Sequence, residues 1–194
     1  MRKWFFATAV MLMVVAMAVA PVQAMDTSIG VHAGITNPNL GCSGCDGISA
    51  HNQRSYGVEL RAFYPIQSAI SVGAELAYDY AGNGDVKADG MHIADARSRT
   101  WSLMPLARVS YNKLSVYAGI GVAQPRITLT DLETGDRVGD TDRVALITKL
   151  GAEYRLTGRL GAYTQWQYLR SGHDIEVSVD YSQHSLQAGL AYHF

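Results

Sequence analysis

The sequence predicts an all-β protein, an eight-stranded antiparallel up-and-down transmembrane β-barrel preceded by a cleaved signal peptide. Three observations lead there. Beyond the first two dozen residues, apolar and polar side chains alternate almost throughout. Aromatic residues collect at the two ends of the apolar faces, where the two interfaces of a bilayer would lie. The connections between runs are alternately tight and long.

The chain opens MRKWFFATAVMLMVVAMAVAPVQA. Arg2 and Lys3 precede an uncharged apolar run from Trp4 to Ala20, Pro21 breaks it, and Val22-Gln23-Ala24 offers small residues to a signal peptidase. Residues 1–24 are therefore expected to be removed after Ala24, leaving 25–194 as one barrel domain. No later stretch approaches the roughly 20 apolar residues of a spanning helix. A spanning strand needs only about 10 residues with every second one apolar. With 16 Lys+Arg against 17 Asp+Glu, the charge gives no basis for binding nucleic acid. The 19 Gly and 11 Tyr against 5 Pro suit strands and turns better than helices.

Each run places one apolar face. Thr27–Thr36 presents Ile29, Val31, Ala33 and Ile35; Ser55–Tyr64 presents Tyr56, Val58, Leu60, Ala62 and Tyr64. Ala69–Tyr80 presents Ile70, Val72, Ala74, Leu76, Tyr78 and Tyr80; Arg99–Tyr111 presents Trp101, Leu103, Ala107, Val109 and Tyr111. Leu114 to about Thr128 presents Leu114, Val116, Ala118, Ile120 and Val122; Arg143–Arg155 presents Val144, Leu146, Leu150, Ala152 and Tyr154. Leu160–Arg170 presents Leu160, Ala162, Trp166 and Tyr168; His184–Phe194 presents Leu186, Ala188, Leu190, Tyr192 and Phe194. The opposite faces carry glycines and polar residues. A soluble sandwich also alternates; the two aromatic girdles favour the membrane barrel. Pro105 removes a ladder donor within the fourth run, so a bulge is expected there. The face of the fifth run becomes ambiguous near Gln124-Pro125-Arg126.

Pro65–Ser68, Asn112-Lys113 and Leu156–Arg159 are tight connections. Asn37–Arg54, Ala81–Ser98, Thr130–Asp142 and Ser171–Gln183 read as long polar loops. An even strand count puts both termini on the short-turn, periplasmic side.

The ending LQAGLAYHF, with Leu186, Ala188, Leu190, Tyr192 and Phe194 on one face, resembles the C-terminal assembly signal of bacterial outer-membrane proteins. Together with the eight runs it is similar to small OmpA/OmpX-like barrels over essentially all of residues 25–194. The resemblance implies the outer membrane of a Gram-negative cell, recognition of Leu190, Tyr192 and Phe194 by the barrel-assembly machinery, and lipopolysaccharide and phospholipid as surroundings. It implies a structural or surface-interaction role, with envelope integrity and loops that bind host or other surface partners. It departs from OmpA in that no periplasmic peptidoglycan-binding domain is expected after Phe194. A monomer is expected, because an eight-stranded barrel closes on itself.

An eight-stranded interior is just wide enough for side chains to fill. Glu59, Arg61, Glu75, Asp79, Arg108, Lys149 and Glu153 are expected to form a paired network there. His32 reads as a hydrogen-bonded lumen residue, and His193 as inward-pointing and solvated at the periplasmic end. The interior glycines keep open the alternative of a narrow, porin-like solute path. A further alternative is an enzyme that modifies lipid A. Ser182 and His184 share a strand face with Glu176 and Asp180, but the His-x-Ser-Asn pattern of the lipid A deacylases is absent, and no enzyme is expected.

No metal or cofactor is expected. Cys42 and Cys45, with His51, His92 and His173 in other loops, could be drawn as a zinc site, but nothing fixes their spacing. Asp131, Glu133, Asp136, Asp140 and Asp142 with Gly135 and Gly139 lack EF-hand spacing. In GCSGCDG, carried across an oxidising periplasm, Cys42 and Cys45 are expected to form a local disulfide with Gly41, Gly44 and Gly47 supplying backbone freedom.

Overall fold

The computed structural model describes residues 25–42, 48–50, 52–88, 91–131, 137–142, 144–171 and 179–194. The expected signal peptide, Gly44 and Cys45 lie outside the described residues. Among the described residues there are ten strands: β1 (Asp26–Cys42), β2 (Ile48–Ala50), β3 (Gln53–Pro65), β4 (Ile70–Ala88), β5 (Met91–Tyr111), β6 (Leu114–Asp131), β7 (Arg137–Asp142), β8 (Ala145–Arg155), β9 (Leu160–Ser171) and β10 (Val179–His193).

Eight of them close a barrel in the order β1-β3-β4-β5-β6-β8-β9-β10, with β10 returning to β1. Every pairing is antiparallel. The closing ladder runs from Ser28 opposite His193 to Cys42 opposite Val179. Below it, the Phe194 amide donates to the Thr27 carbonyl at 3.1 Å, so the two ends of the described chain lie side by side. The short strands β2 and β7 attach to β4 and β6 at the loop end.

Side-chain parity follows the pleat. Val31, Ile35 and Leu186 project outward, 56 %, 57 % and 64 % exposed, as lipid-facing residues do when no lipid is counted. Their neighbours His32, Thr36 and Gln187 are buried in the interior. The turns are local: Thr157 Oγ1 accepts from the amides of Arg159 and Leu160, and Asn112, in the two-residue turn between β5 and β6, has φ 54°, a left-handed conformation that Asn tolerates.

Two features differ from the sequence expectation. First, the segment Ala81–Ser98, read as a loop, is mostly a continuation of β4 and β5, which stay paired out to Ala88 opposite Met91. Alternation fades above the membrane because neither face is buried in lipid, whereas backbone pairing needs no particular side chain. The ladder adjusts through register shifts between Ala81 and Gly84 and between Val86 and Lys87. Likewise, β1 and β10 pair well beyond Thr36 and His184.

Second, Pro105 causes no bulge. Leu103 faces Val122 and Leu106 faces Gly119, with no register shift between them. The neighbouring strand accommodates the proline through Gly119 and Gly121. A Cβ on Gly121 would collide with the Leu103 carbonyl and the Met104 Cα, and one on Gly119 with the Pro105 carbonyl.

Gly121→Val is therefore expected to lower stability by about 1–3 kcal/mol through overpacking. The measurement is an earlier urea midpoint of the folded barrel in lipid vesicles. Gly158→Ala, in a turn where a Cβ meets nothing within 4 Å, should leave the midpoint unchanged.

Candidate functional site in the barrel interior

Inward parity brings charged residues from six strands, β1, β3, β4, β5, β8 and β10, into three connected groups. At the periplasmic end, Asp26 at the start of β1 accepts from Arg108 at 2.6 Å and from Arg155 at 2.8 and 3.0 Å. His193 spans Asp26 and Glu153, with Nδ1 at 3.0 Å and Nε2 at 2.7 Å. An imidazole donates to two carboxylates at once only as imidazolium. His193 is buried and doubly bonded, which corrects the expectation of a solvated residue. The Arg108 guanidinium also lies over the Phe63 ring, 4.0 Å from its centroid.

The middle group is built around Arg61. Nε donates to Glu75 at 3.0 Å, Nη1 to Glu153 at 3.4 Å, and Nη2 to Tyr117 at 2.7 Å and Gln165 at 2.9 Å. An ion pair joins it to Glu59. The rings of Tyr117 and Tyr163 hold the guanidinium between them, 4.3 and 4.6 Å from their centroids. Lys149, from the far wall, pairs with Glu75 and lies 3.5 Å from Glu59. Two carboxylates thus share two cations inside a closed wall, the condition under which buried charge is tolerated.

The third group lies nearer the loops. His32 Nε2 is 2.8 Å from Asp79, which also accepts from Gln187 at 2.9 Å. Gln187 in turn accepts from Gln165 at 2.8 Å, linking this group to Arg61. Beside it an apolar cluster includes Met104, Ala123, Ala145, Ile147 and Leu169. Ile147 pairs with Leu169 on one side and Gly121 on the other, two residues nearer the loops than Lys149.

Of the seven expected interior residues, Glu59, Arg61, Glu75, Lys149 and Glu153 meet directly. Asp79 joins them through Gln187 and Gln165, while Arg108 belongs to the Asp26 group. Tyr117, Tyr163, Asp26 and Arg155 were missed. Parity alone could have found the tyrosines, since Tyr117 is in step with Ser115 and Tyr163 with Gln165. The interior glycines are seats rather than openings: a Cβ on Gly57 would strike the His32 ring, and one on Gly151 the Tyr117 ring.

The catalytic alternative gains no geometry. The His184 ring lies against Tyr168, tilted by 32° with centroids 4.6 Å apart, and no hydrogen bond among the described residues joins it to Ser182. Glu176 and the side chain of Asp180 lie outside the described residues. So do His51, His173, Glu133, Gly135, Asp136 and the side chains of Cys42, His92, Asp131, Asp140 and Asp142. Among the described residues, no three His, Cys, Asp or Glu are grouped to hold a metal.

A closed eight-stranded wall, lipid-facing outside and charge-filled inside, is matched by one family, outer membrane protein β-barrel domain, over residues 6–194. The chain belongs to that family. This outer-membrane barrel is similar in fold to Neisserial surface protein A, at TM-score 0.59 and 14 % identity over 86 % of this chain and 97 % of that one. It is similar to the attachment invasion locus protein of Yersinia pestis, at TM-score 0.55 and 13 % identity over 87 % and 99 %. A major outer membrane protein of Thermus thermophilus gives TM-score 0.61 and 13 % identity over 88 % and 100 %. No curated protein matches in sequence.

For this outer-membrane barrel, Lys149→Met should cost about 3–5 kcal/mol, because Glu59 and Glu75 would share one cation fewer. Adding Glu75→Gln should restore part of the loss. Urea unfolding in vesicles measures both.

Proposed function

We propose that this barrel is a non-enzymatic surface protein. Its wall anchors a rigid extracellular platform, and its loop-side strands contact host or other surface partners while the barrel supports the envelope. The observation that carries this reading is the contrast between the two halves of the molecule. The interior is occupied by paired charge and an apolar cluster, whereas β4 and β5 remain paired far beyond the girdle. A filled interior favours display over transport.

On this reading the barrel-assembly machinery recognises the outward Leu190, Tyr192 and Phe194 after removal of residues 1–24, and the barrel works as a monomer among lipopolysaccharide and phospholipid. Cys42 ends β1 and closes a short disulfide with Cys45, stiffening the first loop and adding little to the barrel, since so small a ring removes little chain entropy.

Replacing residues 82–97 with a two-residue turn should abolish adhesion of expressing cells to host-cell or matrix surfaces. The heat-modifiable gel shift of a folded barrel should survive. Adhesion that persists after every loop-side extension has been trimmed would defeat the reading. Solute flux through vesicles carrying the intact protein should match that of protein-free vesicles; a stepwise conductance would favour the channel instead.

A further inference from the structure

Two side-chain hydrogen bonds clasp the seam between β1 and β10. Toward the loops, the hydroxyls of Thr36 and Ser185 are bonded at 2.9 Å. At the periplasmic end, His193 Nδ1 lies 3.0 Å from Asp26. Both join inward-facing residues, but they differ in kind. The first links two neutral groups. The second links a carboxylate to a ring that can lose its charge.

Ser28 opposite His193 is the last rung of the seam ladder. Asp26 stands one inward step further along β1, diagonal to His193 and within reach of a long side chain across an antiparallel pair. The His193 amide donates to the Arg159 carbonyl at 2.7 Å. That bond sets the residue level with the tight turn between β8 and β9, outside the apolar band. Its ring then makes two contacts. Nδ1 reaches Asp26 along the seam, and Nε2 reaches Glu153 on β8 at 2.7 Å. A neutral imidazole has one N–H, so it donates to one carboxylate and turns a lone pair to the other. Loss of the proton thus replaces an attraction at hydrogen-bond distance with a repulsion.

Other charges surround the pair. Arg108 from β5 and Arg155 from β8 donate to Asp26. Arg61 from β3 and Arg155 lie 3.4 and 3.6 Å from Glu153. Arg159 turns away to the Tyr192 hydroxyl. The three guanidiniums on Asp26 and Glu153 oppose a positive ring, but they stand behind the carboxylates that touch it. Burial alone would lower the His193 pKa, yet the hydrogen bonds to Asp26 and Glu153 outweigh it and raise the pKa above the ordinary value. Burial also favours a neutral Asp26, but the bonds from His193 and Arg108 hold its carboxyl well below the usual range.

We propose that His193 is a proton-operated latch on the barrel seam, closed while the imidazolium ties β10 to β1 and β8, and released when the proton passes to periplasmic water. The ladder within the membrane stays intact on release. What loosens is the Ser28–His193 rung and the bond from Phe194 to Thr27 below it. The latch is independent of what the loops bind. In the unfolded chain His193 titrates near its ordinary value of about 6.5. The latch therefore contributes in full below that value, and its contribution is lost as pH rises through the raised value of the folded barrel.

Urea unfolding of the full barrel in phosphatidylcholine vesicles, from about pH 6 to about pH 9.5, tests the latch against His193→Gln, which keeps a donor but takes no proton. Wild type should be the more stable by a margin that shrinks as pH rises. The ratio of the two unfolding constants should change by up to about tenfold per pH unit, as one linked proton requires. Amide exchange at Phe194, compared at equal pH, should be faster in His193→Gln near the acid end of the range. Lys113→Gln, which removes a cation from an exposed turn at the same rim, should keep the wild-type profile, and the gel shift certifies that each variant is folded. Nitrogen NMR of the assigned His193 ring in the wild-type barrel requires no variant. It should show two ring protons at about pH 7.5, where a free histidine is mostly neutral. A neutral ring there would overturn the proposal. So would a margin over His193→Gln that is the same at every pH, an unchanged exchange rate at Phe194, or a Lys113→Gln profile that follows His193→Gln.

Discussion

The whole molecule depends on the ladder between β1 and β10. Hydrocarbon offers no hydrogen bonds, so each backbone amide and carbonyl within the membrane must find its partner in the protein, and an open edge would leave a row of them bare at several kcal/mol each. Closure removes both edges at once. The first and last strands must then be paired along their length, which fixes an even up-and-down circuit and brings the two ends of the described chain together at one rim. Closing on eight strands also sets the bore, and a bore of that width is filled by side chains. Glycines opposite large residues, as at Gly57 under His32 and Gly151 under Tyr117, are how those side chains fit.

Filling the bore with ions is not the most stabilising choice open to a protein, since apolar residues of equal volume often do as well. The charges do constrain alignment. Arg61 meets Glu75 from the adjacent strand and Glu153 from across the barrel only in the observed register. A slip of one residue in a strand turns its inward set outward, which would place Arg61 or Lys149 in the hydrocarbon, where charge is costly. The interior thus enforces the pairing that the backbone requires, and the two constraints select the same structure.

The barrel was legible in the sequence because the membrane imposes a period of two on every strand. Ile29 to Ile35 and Leu186 to Phe194 announce their faces without knowledge of any partner. What could not be read were matters decided across strands. The effect of Pro105 depended on Gly119 and Gly121 in the neighbouring strand, and a bulge rule applied to one strand misses that. His193 looked solvated because it stands at the chain end, yet its partners, Asp26 and Glu153, arrive from β1 and β8. Tyr117 and Tyr163 have the parity of the interior, but that they flank a buried guanidinium depends on Arg61 from another strand. Above the band the periodic signal stops, so β4 and β5 looked shorter than they are.

The extension of β4 and β5 has a consequence for how anything could grip it. Part of its edge is occupied: β2 lies along Val86–Ala88 of β4, and β6 follows β5 up to Ala94. A projecting ribbon with bare margins would invite strand addition, either by a ligand or by another copy of the chain, through main-chain bonds indifferent to sequence. With these margins covered, recognition there shifts from the main chain to side chains. The ribbon's outward residues could then be exchanged one at a time, altering what it recognises while the ladder that holds it upright stays intact.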